Sequence, residues 1–255
     1  MAKIAQIFRY PVKGLSAEPL DAVELVPERS LPGDRRYALA HGTTEFDPAA
    51  PHYLPPAKFL MLKRNEKLAT LRTRYNAESE ELVIERDGKP VARGRLDQPV
   101  GRKMLEQFFA AYLAGEVRGS PKILRARGHS FSDMPTQYLS LINISGIREL
   151  ERVMGRAIDP LRFRGNLYFD TGMPWDEFDW CGRRIVVTGR DGEVVLRGQA
   201  RIERCAATNV DPDSGVRDMN IPAALQQAFG HVDMGLYATV EEGGRIAVGD
   251  RFTID

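Results

Sequence analysis

Cys205 ends the strand-like run Gln199-Ala200-Arg201-Ile202-Glu203-Arg204-Cys205 and opens a turn that runs through Asp211-Pro212-Asp213-Ser214-Gly215. A thiolate at such a place can ligate a soft or high-valent metal or attack sulfur and carbonyl centres, and Arg201 and Arg204 favour the anion. Free cysteine is also among the most buried residue types, so a core thiol without chemistry fits the same stretch. Cys181, in Asp179-Trp180-Cys181-Gly182, reads as structural. A second candidate is the junction at Asn143 and Ser145. Leu139-Ser140-Leu141-Ile142-Asn143 reads as a strand and Ser145 as the cap of a helix, whose unpaired first amides could donate to a phosphate or a polar ring or simply serve their own cap.

Other chemistry finds no support. His41, His52, His129 and His231 lie far apart without metal-ligand spacing and read as surface or structural residues. No serine sits in a Gly-x-Ser-x-Gly elbow, and neither a phosphate-binding loop nor a dinucleotide glycine fingerprint is present. With two cysteines the chain has no disulfide framework, four-cysteine zinc site or iron–sulfur cluster of its own, and a reducing cytoplasm is expected. The 36 basic and 35 acidic side chains nearly cancel, so no global field calls for nucleic acid. Without a run of about 18 apolar residues, and with no signal-peptide pattern at the start, no membrane segment or export is expected.

The elements that must position these residues are mostly strands. Residues 3–10, 22–26, 36–40, 68–75 and 81–86 are short apolar or alternating runs bounded by Pro, Gly or Asp, and Asp87-Gly88 marks a tight hairpin. Met104, Leu105, Phe108, Phe109, Tyr112 and Leu113 recur at helical spacing, with Gly115 as the stop. Beyond residue 118 come the strand and helix at 139–154, a hairpin over 184–197 around Asp191-Gly192, and a third strand over 199–205. A short helix over 222–229 and paired strands around Gly243-Gly244 complete the chain. Many strands and three helices predict a β-rich α+β fold, a barrel or sandwich decorated by helices, in two units over 1–117 and 118–255. The Pro-rich segment 46–56 is long enough to overhang a pocket.

Several fragments come in a recognisable order. They are Tyr10-Pro11-Val12-Lys13-Gly14, Gly33-Asp34-Arg35-Arg36-Tyr37, Phe163-Arg164-Gly165-Asn166, Arg204-Cys205 before Asp211-Pro212-Asp213-Ser214-Gly215, and Gly235-Leu236-Tyr237. In these the chain resembles the MOSC (molybdenum cofactor sulfurase C-terminal) superfamily, in the branch with an N-terminal MOSC β-barrel domain. It looks most like the mitochondrial amidoxime-reducing components and their bacterial relatives.

The resemblance implies an N-terminal MOSC β-barrel domain over 1–117 and a molybdenum-cofactor-binding MOSC barrel over 118–255. It implies Cys205 as the protein ligand to a molybdenum that also carries the dithiolene of one molybdopterin, a donor set suited to oxygen-atom removal. Lys13, Arg35 and Arg164 match cofactor-contacting positions; guanidinium takes phosphate oxygens in pairs, and Lys supplies a compact charge. Gly14 replaces a frequent serine and leaves only a backbone donor. Asn143, Ser145, Arg204, Asp211 and Tyr237 complete the implied cofactor shell, although Asp211 could equally orient its turn and Tyr237 be a barrel aromatic.

The implied activity is reduction of small N-hydroxylated compounds, N–OH to N–H and water. Electrons would come from a separate ferredoxin or flavin reductase system. Two other readings of Cys205 stand beside it, a persulfide carrier and a non-catalytic cofactor carrier, and the superfamily has an association with pyridoxal phosphate binding as well.

Overall fold

In the computed structural model, which describes residues 2–255, seven strands close into a barrel. They are β1 (Lys3–Arg9), β2 (Leu139–Asn143), β3 (Leu167–Asp170), β4 (Arg184–Gly189), β5 (Gly192–Glu203), β6 (Asp233–Glu242) and β7 (Arg251–Ile254). Around the ring the order is β3-β2-β6-β5-β4-β7-β1 and back to β3. An odd number of strands cannot close with every neighbour antiparallel. The one parallel pair is β2 with β3, and the crossover it requires is supplied by a helix, α2 (Ile144–Met154).

Period-two alternation sorts the barrel side chains. Leu139 and Leu141 of β2 point into a core with Ile4, Phe169, Leu196 and Phe252, while Ile142 and Tyr168 face an outer apolar cluster under α2 and α3 (Ile221–Phe229). The first strand of the chain is thus a stave of a barrel whose other six strands all lie beyond residue 138.

Glu18–Leu20 pairs with β1 and Ala22–Leu25 with Gly244–Ala247, and the other N-terminal segments form two three-stranded sheets. One joins Val12–Lys13, Tyr37–Ala40 and Lys122–Arg125; the other is the meander Arg72–Asn76, Glu81–Arg86 and Lys89–Arg95. Between them α1 (Pro99–Tyr112) presents Leu105 and Phe109, followed by Leu113, to a core with Leu39, Leu68 and Ile84. That i, i+4, i+8 stripe is the core of the run read from the sequence, of which Met104 faces solvent. The β-rich fold with three α-helices and two β units is as expected.

Some local expectations are corrected. Residues Glu66–Thr70 form a short 3-10 turn, so the strand predicted over 68–75 begins only at Arg72. The hairpin partner and the third strand before Cys205 are one continuous β5. Asn143, not Ser145, caps α2, because its side chain accepts from the Ser145 amide.

Candidate functional site

Cys205 stands at the rim of the barrel, just past β5. The Arg204 amide still donates to the Val232 carbonyl at 2.9 Å, and the Cys205 carbonyl accepts from the Thr208 amide at 3.1 Å and from Thr208 Oγ1 at 2.9 Å. Its main chain is therefore pinned while its side chain is exposed, which removes the core-thiol reading. Cys181 is exposed as well, so the expectation of a packed structural thiol fails there too.

Four cations gather from distant segments. Lys13 is only 5% exposed; its Nζ donates to the Phe131 carbonyl at 2.8 Å and to the Asp133 carboxylate at 2.5 Å, and lies 5.1 Å from the centre of the Phe59 ring. Arg35 and Arg164 flank Tyr10, at 5.1 and 4.2 Å from its ring centre. Arg35 pairs with Asp34 and donates to the Arg164 carbonyl at 3.1 Å. Arg164 donates to the Leu15 carbonyl at 2.8 Å. Arg204 reaches the Phe163 carbonyl at 2.9 Å and, through Nε, the Met234 carbonyl at 2.8 Å.

Local backbone explains the convergence. Arg35 and Arg164 both adopt left-handed φ, +48° and +50°, a conformation that costs a non-glycine residue about 1–2 kcal/mol. Two such residues aimed at one tyrosine mark strain concentrated where side chains must meet. On the barrel side, β5 slips register against β6 between Gly198 and Ala200 and again between Arg201 and Glu203, irregularities that bend a strand and re-aim side chains. Opposite lies Gly235 at φ +89°, where a Cβ would fall 2.4 Å from the Leu141 carbonyl oxygen. Only glycine lets the chain pass there and offer the Met234 carbonyl to Arg204.

The electrostatics call for an anion. Asp34 and Asp133 answer Arg35 and Lys13, but among the described residues neither Arg164 nor Arg204 meets a carboxylate at salt-bridge distance. Burial lowers both arginines from their ordinary value, and each remains a cation because that value is so high. Burial likewise pulls the Lys13 ammonium down, against the opposing pull of Asp133. The buried Tyr10 Oη makes no hydrogen bond of good geometry, with the Tyr168 phenol as its polar neighbour.

Tyr237 stacks on Tyr138 with ring centres 5.2 Å apart, and its phenol, raised by burial, feels the charges of Arg204, Asp133, Arg35 and Cys205. Gly14 lines a cavity of about 80 Å³ with Tyr10 and Arg164, at φ +85°, where serine would be strained. A larger cavity of about 240 Å³, between 11–19 and the hairpin at Thr73–Leu82, contains none of the four cations.

Lys13, Gly14, Arg35, Arg164, Arg204, Cys205 and Tyr237 are thus grouped about one region. Asn143 and Ser145 are not. Asn143 donates to Thr171 Oγ1, the Met173 carbonyl and buried Glu177, and Ser145 Oγ donates to Asp170, so their hydrogen bonds close inside the fold. Asp211 is committed to its turn: Oδ1 accepts from the Asp213 and Ser214 amides and from Ser214 Oγ, and Oδ2 accepts from Arg162 at 3.0 Å. Burial would raise its carboxyl, and these partners hold it below the usual range. Arg201 lies 4.4 Å from the Phe178 ring centre, committed to stacking.

Residues that sequence reasoning missed are Asp133, Tyr10 and Arg162. Tyr10 stood inside a quoted motif, and Arg162 directly precedes another. Asp133 lies in a loop without periodicity and is found only through its contact with Lys13. The segment 46–56 packs on this loop, with Phe46 against Phe131 and Tyr53 Oη donating to the Asp133 carbonyl at 3.1 Å.

The MOSC domain model matches residues 127–253, and the MOSC N-terminal beta barrel domain model matches residues 1–119. The chain belongs to the MOSC superfamily. MOSC domains are molybdenum-cofactor-binding, sulfurase-like domains. No curated protein matches this MOSC chain in sequence. Among solved structures it is similar to the YuaD protein from Bacillus subtilis, with 14% identity, a TM-score of 0.46, and 99% of this chain and 94% of that one covered. It is also similar to YiiM from Geobacillus stearothermophilus, with 19% identity, a TM-score of 0.35, and 46% and 53% covered. Among the described residues no helix is long and apolar enough to cross a membrane.

The residues fit the superfamily's cofactor in kind. Among the described residues no three His, Cys, Asp or Glu side chains converge on a common point, so the protein offers no cage for a bare ion. An exposed thiol beside half-buried arginines without carboxylate partners suits a metal that arrives with its own sulfur donors and a phosphate.

Proposed function

We propose that this MOSC protein binds a molybdenum–molybdopterin cofactor and reduces small N-hydroxylated compounds to the corresponding N–H compounds, with electrons from a separate ferredoxin or flavin reductase system. The observation that carries the cofactor reading is exposed Cys205 directly after Arg204, whose guanidinium donates to the carbonyl of Phe163, the residue before Arg164, so that two guanidiniums without a carboxylate lie on neighbouring segments beside the thiol. Cys205 would be the protein's ligand to the metal. Lys13, Arg35 and Arg164 would hold the phosphate and the pterin, with Arg204 and Tyr237 beside the thiol. When bound, the cofactor supplies the two-electron chemistry that removes an oxygen atom from the substrate.

The chain's own residues orient and exclude. Tyr10, its ring held between Arg35 and Arg164, keeps the guanidiniums apart. Asp133 neutralises Lys13, so the cluster does not bear four uncompensated charges. The segment 46–56 rests on the Asp133 loop and braces it.

The test is molybdenum and pterin stoichiometry for the parent chain and Cys205→Ser from a cofactor-competent host, followed by benzamidoxime reduction with a chemical reductant. The proposal expects near-stoichiometric metal and N–H product from the parent only. Equal metal in both proteins would remove Cys205 from the ligand role. Absence of metal with a transferable persulfide on Cys205, whose exposure also suits a sulfur carrier, would replace the reductase with a sulfurtransferase. Loaded protein that leaves benzamidoxime unchanged would make it a carrier of the cofactor.

A further inference from the structure

The Arg162 side chain is buried, 2% exposed, yet it is a cation, and three of its four polar partners lie in the stretch after Cys205. Nη1 donates to the carbonyls of Thr208 at 3.4 Å and Asn209 at 3.3 Å. Nη2 lies 3.0 Å from Asp211 Oδ2 and 2.8 Å from Asp218 Oδ1. Thr208 is the residue whose amide and hydroxyl both close on the Cys205 carbonyl. One guanidinium therefore grips the 3-10 turn Ala206–Asn209 from beneath, along with the carboxylate that organises the next turn.

The same short segment also touches the cations. The Phe163 carbonyl accepts from Arg204, and Arg164 flanks Tyr10. Residues 162, 163 and 164 thus connect the thiol turn, its neighbouring arginine and the Tyr10 cluster in three consecutive positions. A group held at one end by Cys205 and at the other by the cation cluster needs the distance between them set closely. A buried ion pair is a weak source of net stability, since an apolar side chain of similar volume often serves as well, so what Arg162 adds is the geometry of its bonds to the turn.

We infer that Arg162 is a positioning residue for Cys205, setting the thiol relative to Arg164 and Arg204 by fixing the turn Ala206–Asn209. The inference rests on the cofactor reading for its purpose, but it is tested on the thiol itself. Asp218 completes the device from the outer side, since its other oxygen takes Arg156 at 2.6 Å.

The experiment uses the full chain from a host that does not make the cofactor, as parent, Arg162→Met, Arg162→Lys and Asp218→Asn. Amide hydrogen exchange over 205–210 is measured, together with iodoacetamide alkylation of Cys205 relative to Cys181, the built-in exposed reference. In Arg162→Met the exchange of these amides should speed up by about tenfold or more, because charge-assisted bonds to the turn are lost. The Cys205-to-Cys181 alkylation ratio should move with it, and Arg162→Lys should recover part of both. A folded Arg162→Met with exchange and ratio unchanged overturns the inference. If that variant does not fold, Asp218→Asn decides, because it unloads one side of Arg162 and leaves Asp211; no acceleration of the 205–210 amides in it refutes the role. Parent and variants that behave as expected here, while the loaded parent leaves N-hydroxylated substrates untouched, would refute the reductase reading and leave the positioning role standing.

Discussion

Arg164→Met should separate binding from stability. In the parent, Arg164 makes one hydrogen bond to the Leu15 carbonyl and lies over the Tyr10 ring at 4.2 Å. Losing these removes about 1 kcal/mol for the hydrogen bond and about 1 kcal/mol for the cation–π contact. Against that, the variant no longer desolvates a cation that has no carboxylate within reach, and an apolar replacement at such a place is often neutral or favourable by about 1–4 kcal/mol. The left-handed φ of +50° is unchanged by the substitution. Net stability should therefore stay within about 1 kcal/mol of the parent, or rise. An anion that this guanidinium grips with charge-assisted bonds loses about 1.5–3 kcal/mol, a drop of about 10- to 100-fold in affinity. Urea denaturation measures the first quantity, and calorimetric titration of the cofactor-free chain with pyrophosphate measures the second. A variant that loses 3 kcal/mol or more of stability while binding pyrophosphate as well as the parent would show that Arg164 is structural and that the cluster is not an anion site.

Asn143→Ala should cost about 2–4 kcal/mol in urea denaturation, because buried Glu177 and the buried Ser145 amide lose their partner, along with half-buried bonds to Thr171 and Met173. Its molybdenum content per folded molecule should not fall, and a specific loss of metal would return Asn143 to the cofactor shell. Glu177, 0% exposed, is raised by burial above the ordinary carboxyl value, so the folded state holds its proton more tightly than the unfolded chain, which titrates near about 4.3. The stability it contributes is complete below the unfolded value and is lost as pH rises through the folded one. Glu177→Gln removes that loss, and its urea midpoint should gain on the parent from pH 4 to pH 7; a constant gap would mean that Glu177 does not titrate upward.

Local order was legible wherever neighbours in sequence settle it. The α1 stripe of Leu105, Phe109 and Leu113, the Asp191-Gly192 hairpin and the alternation along β2 follow from side-chain period and turn chemistry, which need no distant partner. Residues 68–70 were misread as the start of a strand because a short run such as Leu68-Ala69-Thr70 suits a strand or a tight turn equally until Leu68 finds its core. Ser145 lost the cap to Asn143 for a similar reason. Both types cap helices, and the partners at Thr171, Met173 and buried Glu177 orient the asparagine.

The residue types alone determined which chemistry was available: one thiol beside an Asp-Pro-Asp turn, arginines in short motifs, and too few ligands for a metal cage. Only the tertiary structure decided who meets whom. Closing the barrel with the chain's first strand brings the segment after it, with Tyr10 and Lys13, against Arg164 and Arg204, which follow by more than 140 residues. No local pattern encodes that meeting, because it follows from a ring that closes only when its two ends pair. The same closure exposes Cys205, engages Asp133 with Lys13 and turns Asn143 inward, so burial and partner, rather than residue type, divide the site from the scaffold.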